Sequence, residues 1–179
     1  MRRTFVLTVS VLALAGCSSS SKPAASTPAG TTGTTASAPA AAPASHPGLG
    51  ASQTLKFAGG TATMTVLKVV DPVTPKNGSE PAGIRDVAVQ VRIVGDGPAA
   101  FTSGLMSTLH GFDANGQAID VHAEWPTSAG PELDVVTGVS VAAGDTQSGF
   151  ITFEVPTGAK LARLQYTPPG GPMVEWALR

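Results

Sequence analysis

Short segments of alternating apolar residues restrict the fold of this chain more than any other feature of its sequence. Residues 86–94 carry a branched aliphatic side chain at every second position: Val87, Val89, Val91 and Ile93. This period of two is typical of a β-strand with one buried face, because successive side chains of a strand point to opposite sides. Residues 61–70, rich in Thr and Val, alternate in the same way and predict a second strand that ends at Asp71-Pro72.

The rest of the sequence after residue 52 also consists of short apolar runs separated by Gly, Pro, Asn and Asp. Residues 105–112 and 117–121 flank an Asn115-Gly116 pair, which supplies the positive φ values of a tight turn and predicts a β-hairpin. Four further strands are predicted at residues 135–141, 148–155, 161–167 and 173–178. Seven or eight short strands without a helical period favour an all-β fold, an antiparallel immunoglobulin-like β-sandwich.

The first residues of the chain have the features of an export signal. Arg2 and Arg3 form a positive region, and residues 5–15 form an apolar stretch that is too short to cross a bilayer as a helix. Leu14-Ala15-Gly16-Cys17 resembles the bacterial lipobox, in which cleavage precedes a cysteine that receives a diacylglyceryl group. Residues 1–16 are therefore predicted to be a lipoprotein signal peptide, with lipidation of Cys17.

Cys17 is the only cysteine of the chain, so it cannot form an intramolecular disulfide. Its lipidation would anchor the protein to the cell membrane on the extracytoplasmic face, because two or three acyl chains hold a protein stably at a bilayer. The export route stays open. Arg2-Arg3 suits an ordinary secretory signal and also resembles a twin-arginine signal.

A linker is predicted between the lipidated cysteine and the folded domain. Residues 17–51 are almost wholly Ser, Thr, Ala, Pro and Gly, a composition that cannot form a core and favours disorder. A coil of about 35 residues spans on the order of 30 to 35 Å. Both an unmodified spacer and O-glycosylation of the cluster from Thr31 to Thr35 are compatible with this composition. The folded domain is predicted to comprise residues 52–179.

One segment of the domain resembles a known family. Residues 141–156 combine Gly144-Asp145 with a following Gly-x-x-x-Phe-x-Val-Pro pattern, and residues 112–116 read Phe-Asp-Ala-Asn-Gly. Both features are similar to the telokin-like, immunoglobulin-like domains of unknown function in Gram-positive lipoproteins. The resemblance covers most of residues 60–167 and implies an immunoglobulin-like fold, an extracytoplasmic location and an adhesion, scaffolding or partner-binding role. The Ala-, Gly- and Pro-rich composition suits an actinobacterial source.

Composition and motifs disfavour several classes of function. The formal net charge is −1 and the carboxylates all lie in the domain, so nucleic acid is not an expected partner. The sequence has neither a Gly-x-Ser-x-Gly elbow nor a glycine-rich phosphate loop between a strand and a helix. The pairs Glu132/Asp134 and Asp120/Glu124 are interpreted as solvated acidic loops. We expect no enzyme activity, no catalytic residues and no cofactor.

Two candidate binding features remain in the domain. His110 and His122 flank the predicted hairpin, and a tight turn would bring them to the same level on neighbouring strands, where they could hold a metal ion. Trp125, followed by Pro126 in a long loop, is a candidate anchor for a partner.

The leading hypothesis is therefore a membrane-anchored lipoprotein whose non-catalytic domain binds a protein or a cell-wall component through its loops or an open sheet edge. The alternative is a metal- or small-ligand-binding lipoprotein that uses His110 and His122. A hydrolase of wall polymers is a third class, for which the sequence offers no motif.

Overall fold

The computed structural model describes residues 46–76, 80–122 and 128–179. Most of these residues form β-strands. The described residues belong to one compact unit. Cys17, the predicted signal peptide and Trp125 lie outside the described residues. None of the helices in the described segments is long and apolar enough to span a membrane.

The described residues form eleven strands and one helical turn. The strands are β1 (Ser52–Phe57), β2 (Gly60–Val73), β3 (Ile84–Gly95), β4 (Phe101–Ser103), β5 (Leu109–Asp113), β6 (Ala118–Ile119), β7 (Val121–His122), β8 (Val139–Val141), β9 (Thr146–Pro156), β10 (Leu161–Tyr166) and β11 (Val174–Ala177), and the helical turn is α1 (Leu105–Thr108).

Two main antiparallel sheets and a short ribbon make up the sandwich. One sheet has five strands in the order β1-β2-β3-β9-β7, and the other has four in the order β11-β10-β5-β6. β4 and β8 form a separate two-stranded ribbon. The chain is thus an antiparallel immunoglobulin-like β-sandwich, as the alternation of the sequence predicts.

The core lies between the two main sheets. The four aliphatic residues of β3 at alternate positions are buried in it, together with Phe153 of β9 and Trp176 of β11. The opposite face of β3 is less polar than the sequence suggests, because Ala88 is buried in a second small cluster with Val73 and Phe150. Residues 131–133 bond to the backbone of Phe150, and Ala129 packs against this second cluster.

Several strand predictions are corrected by the structure. β1 and β4 were not predicted, and the segment predicted as a strand over residues 105–112 begins with the helical turn α1 before β5. The hydroxyl groups of Ser107 and Thr108 both donate to the carbonyl of Gly104, a local bond that favours a turn over an extended backbone. β2 continues through Asp71-Pro72 to Val73, and β8 is shorter than predicted.

The residues just before β1 are bonded to the folded part. The N–H of Ala177 donates to the carbonyl of Pro47, and the indole N–H of Trp176 donates to the carbonyl of Ala51. His46 lies 3.0 Å from the carboxylate of Glu175. Residues 46–51, assigned to the linker from their composition, thus pack along the edge of β11.

Candidate functional site

A histidine and a buried carboxylate meet on the outer face of the five-stranded sheet. Val121 of β7 is opposite Phe153 of β9, and His122 is opposite Thr152. Because side chains alternate along a strand, Val121 faces the core and His122 faces outward. The imidazole Nδ1 of His122 lies 3.0 Å from Oδ1 of Asp86 on β3.

Asp86 is the most deeply buried charged residue in the described part of the chain. Only 1% of its side chain is exposed, against 14% for His122. Its Oδ1 faces His122, whereas its Oδ2 has no hydrogen-bond partner among the described residues. The hydroxyl oxygen of Thr152, also buried, lacks such a partner as well. Since an unpaired buried polar atom is costly, this corner carries polar groups that packing alone does not require.

A second carboxylate faces the other ring nitrogen of His122. Oε1 of Glu154, on β9, lies 3.6 Å from Nε2. This separation is too long for a hydrogen bond. Glu80 extends the acidic character of the corner, because its carboxylate accepts the backbone N–H of Asp86 at 3.3 Å.

The structure does not bring His110 and His122 together as the sequence analysis expected. The tight hairpin forms, with Phe112 opposite Ala118. However, the chain leaves the four-stranded sheet after β6, and β7 joins the five-stranded sheet beside β9. His110 is exposed on β5 opposite Gln165, so the two predicted metal ligands belong to different sheets. No group of three His, Cys, Asp or Glu side chains suited to a metal ion occurs in the described segments.

A shallow groove of about 390 Å³ lies at the end of the four-stranded sheet where the chain enters the domain. Arg163 forms part of its wall, with its guanidinium 4.5 Å from the centre of the Phe112 ring and 3.0 Å from the carboxylate of Glu175. His46 and Arg179 also line the groove. Since Glu175 contacts both His46 and Arg163, the charges of this groove are largely paired.

The hairpin turn borders the same groove. Asp113 accepts the backbone N–H groups of Gln117 and Asn115 at 2.8 Å each. These bonds, that of Gln117 first, hold the pKa of Asp113 below its ordinary value. The carboxylate therefore stabilises the turn in its ionised form and is a structural group.

The end of the sandwich opposite this groove carries exposed apolar side chains. We call residues 104–108, 134–138 and 167–173 the far end, and His46, residues 113–116 and Arg179 the tether end. Three large apolar side chains of the far end are exposed: Met106 by 48%, Val136 by 61% and Met173 by 52%. The backbone N–H of Met106 donates to the carbonyl of Val135, which joins the segment of residues 104–108 to that of residues 134–138. A hollow of about 280 Å³ beside them is lined by Gly104, Gly138 and Pro169.

Sequence reasoning missed the partners of His122. Asp86 and Glu154 are far from His122 along the chain and meet it only through the pairing of β3, β9 and β7. One signal was present in the sequence, since Asp86 directly precedes the alternating aliphatic residues from Val87 to Ile93. Trp125, the other predicted site residue, lies outside the described residues and remains a prediction.

Known structures of similar fold support the architecture. A secreted protein of Mycobacterium tuberculosis, MPT63, is 18% identical, with a TM-score of 0.50, over 75% of this chain and 99% of its own. The yjhA protein of Bacillus subtilis is 16% identical, with a TM-score of 0.52, over 74% of this chain and 99% of its own. Neither the protein-family models nor the curated proteins match the sequence. At these identities the likeness establishes the β-sandwich fold.

Proposed function

We propose that this protein is an extracytoplasmic, lipid-anchored lipoprotein whose non-catalytic β-sandwich binds a partner protein through its far end. The signal peptide and Cys17 support export and anchoring, and the description of MPT63 as a secreted protein of similar fold is in keeping with that location. The observation that carries the proposal is the exposure of Met106, Val136 and Met173 on loops that adjoin around the hollow at the far end.

Exposed apolar side chains are costly in water when they form a group, and such groups commonly mark protein interfaces. Methionine adapts its shape to a partner more easily than branched residues do. Loops on a rigid sandwich are also the usual place for binding residues. These properties favour a protein partner at the far end over a polar ligand.

The position of the tether supports the same surface. The described chain begins at His46, which contacts Glu175 at the tether end, and Ala177 of β11 bonds Pro47. β10 runs from there to the loop of residues 167–173 at the far end, and β11 returns from that loop. A chain anchored through Cys17 therefore enters the domain at the tether end, and the exposed apolar side chains lie at the far end.

In-cell crosslinking of the intact protein, followed by detergent extraction and mass spectrometry, tests the proposal. We expect one dominant protein partner, which is lost in Val136→Asp because the new charge would have to be desolvated in the interface. Ala114→Asp, at the exposed hairpin turn of the tether end, is the matched control and should retain the partner. Cys17→Ala should reduce recovery of a membrane-bound partner.

Equal recovery from the wild type and Val136→Asp would contradict the far end as the binding surface. Recovery of wall polymer without protein would show that the partner is a cell-wall component. Measurable turnover of a wall substrate by the purified protein would overturn the non-catalytic assignment.

A further inference from the structure

We propose that the two exposed methionines of the far end, Met106 and Met173, form a reversible oxidation site that switches partner binding off. The inference rests on the proposed function, because it concerns the regulation of the same surface. The oxidant is a small peroxide, and the product at each residue is methionine sulfoxide.

The sulfur atoms of the chain are divided between exposed and buried positions. The sequence contains four methionines and one cysteine. Met1 belongs to the predicted signal peptide, and Cys17 is the predicted lipidation site. Of the other three, Met64 is 0% exposed in the core, whereas Met106 is 48% and Met173 is 52% exposed. A small oxidant in the solvent therefore reaches a thioether of the domain only at the far end.

The two exposed methionines lie on segments that are bonded to each other. Met106 belongs to α1, and Met173 ends the loop that connects β10 to β11. The N–H of Thr167, at the start of that loop, donates to the carbonyl of Thr108 at the end of α1. Because β10 and β11 are paired up to the loop, its two ends lie side by side. Oxidation of either methionine therefore alters the same surface.

The far end has little other polarity that could mask the change. Asp134 is the one charged residue of its three segments. The carboxylate accepts the backbone N–H groups of Val136 and Thr137 at 3.1 and 2.7 Å, so it stabilises its own loop. A sulfoxide makes a flexible apolar side chain polar. An interface that desolvates the new oxygen without supplying a donor loses affinity.

The oxidation needs only the peroxide. A lone pair of the thioether sulfur attacks one peroxide oxygen, and the O–O bond breaks. With hydrogen peroxide the sulfur gains this oxygen and loses two electrons, and the second oxygen leaves as water. Methionine sulfoxide reductases reverse the change. In that step two thiols become a disulfide, and the sulfoxide oxygen leaves as water.

The fold should tolerate the oxidation. Met106 and Met173 are about half exposed, so a sulfoxide oxygen on either can stay in water. Tyr166 and Trp176, which stronger oxidants attack, are 0% exposed. We therefore expect the melting temperature to stay within about 3 °C of its value before oxidation, the range of an ordinary surface change.

Peptide mapping tests the oxidation site. The lipidated full chain in mild detergent is exposed to hydrogen peroxide, catalase stops the reaction, and mass spectrometry follows the gain of one oxygen at each methionine. We expect Met106 and Met173 to react at least about tenfold faster than Met64, because susceptibility follows exposure. Equal rates at the three methionines, or a folded chain that resists oxidation at Met106 and Met173, would overturn the proposal.

Crosslinking in isolated membranes tests the switch. After peroxide treatment, recovery of the partner by the wild type should fall at least about tenfold. It should return after incubation with methionine sulfoxide reductases and a thiol reductant. A chain with both Met106→Leu and Met173→Leu keeps an apolar surface of similar volume and should retain the partner after peroxide. Met64→Leu, in the core, is the matched control and should remain sensitive.

The outcomes separate the switch from the proposed function. Loss of the partner from the double leucine variant after peroxide would overturn the switch alone, because the sensitive group would then lie elsewhere. Full recovery by a wild type that carries both sulfoxides would do the same. Absence of a protein partner from untreated membranes would overturn the proposed function and the switch with it.

Discussion

Replacing His122 by Ala should destabilise the fold more than the loss of one surface hydrogen bond would. Asp86 is 1% exposed, and Oδ1 would lose its partner while Oδ2 already has none among the described residues. Leaving a buried charged group without its partner costs about 3 to 5 kcal/mol. Since His122 is itself 14% exposed, water can partly replace the ring, and we expect about 2 to 4 kcal/mol.

Urea denaturation and thermal denaturation both measure this cost. A domain of this size should lose about 6 to 16 °C in melting temperature for such a change. His110→Ala, at an exposed position of β5, is the control and should change stability by less than about 0.5 kcal/mol. A double variant that also carries Asp86→Ala should be more stable than His122→Ala alone, because the buried carboxylate is gone. A loss below about 1 kcal/mol for His122→Ala would refute this reasoning.

Three further predictions concern the stability of the β-sandwich. Arg85→Lys should lower the free energy of unfolding in urea by about 2 kcal/mol. The guanidinium of Arg85 donates to both carboxylate oxygens of Asp71 and to two backbone carbonyls, and an ammonium group cannot make all of these bonds. Arg92→Lys, at an exposed position of β3, is the control and should leave stability unchanged. Burial raises the pKa of Tyr166, so with rising pH the unfolded chain loses its phenol proton before the folded chain does. The free energy of unfolding should therefore fall above about pH 10, by up to about 1.4 kcal/mol per pH unit, until the pH passes the raised pKa. Phenolate absorbance of this single tyrosine checks it, and ionisation at the ordinary pKa before unfolding would speak against it. Gly171→Ala should destabilise the fold by about 3 kcal/mol or more in thermal denaturation, because the new Cβ would lie 1.8 Å from the carbonyl oxygen of Lys56. Gly48→Ala is the control: its Cβ would meet no neighbouring atom, so stability should not change.

Local patterns in the sequence were sufficient for the long strands and the hairpin. β3 carries aliphatic residues at alternate positions along most of its length, β9 carries apolar residues at alternate positions over residues 151–155, and Asn115-Gly116 supplies the turn. β1 was missed because Ser52–Phe57 contains only two large apolar residues, and its partner β2 supplies the pairing that makes it a strand. α1 was predicted as strand because its preference for a turn depends on short side-chain bonds to Gly104.

The site required information that no local pattern contains. Asp86 and His122 are 36 residues apart and meet only because β9 lies between their strands. The pairing of His110 with His122 assumed that the hairpin continues past residue 119, whereas β7 crosses to the other sheet. The far end could not be predicted from the sequence either, because only the packed sandwich decides which apolar residues stay exposed.

Site-specific photo-crosslinking in cells is the most direct test of the far end as the binding surface. A photoreactive amino acid would replace Met106, Val136 or Met173 in separate variants, with Ala114 at the tether end as the reference position. We expect the three far-end positions to crosslink to the same partner protein and position 114 to remain free of it. Crosslinks from position 114 alone, or none from the far end, would contradict the proposed function.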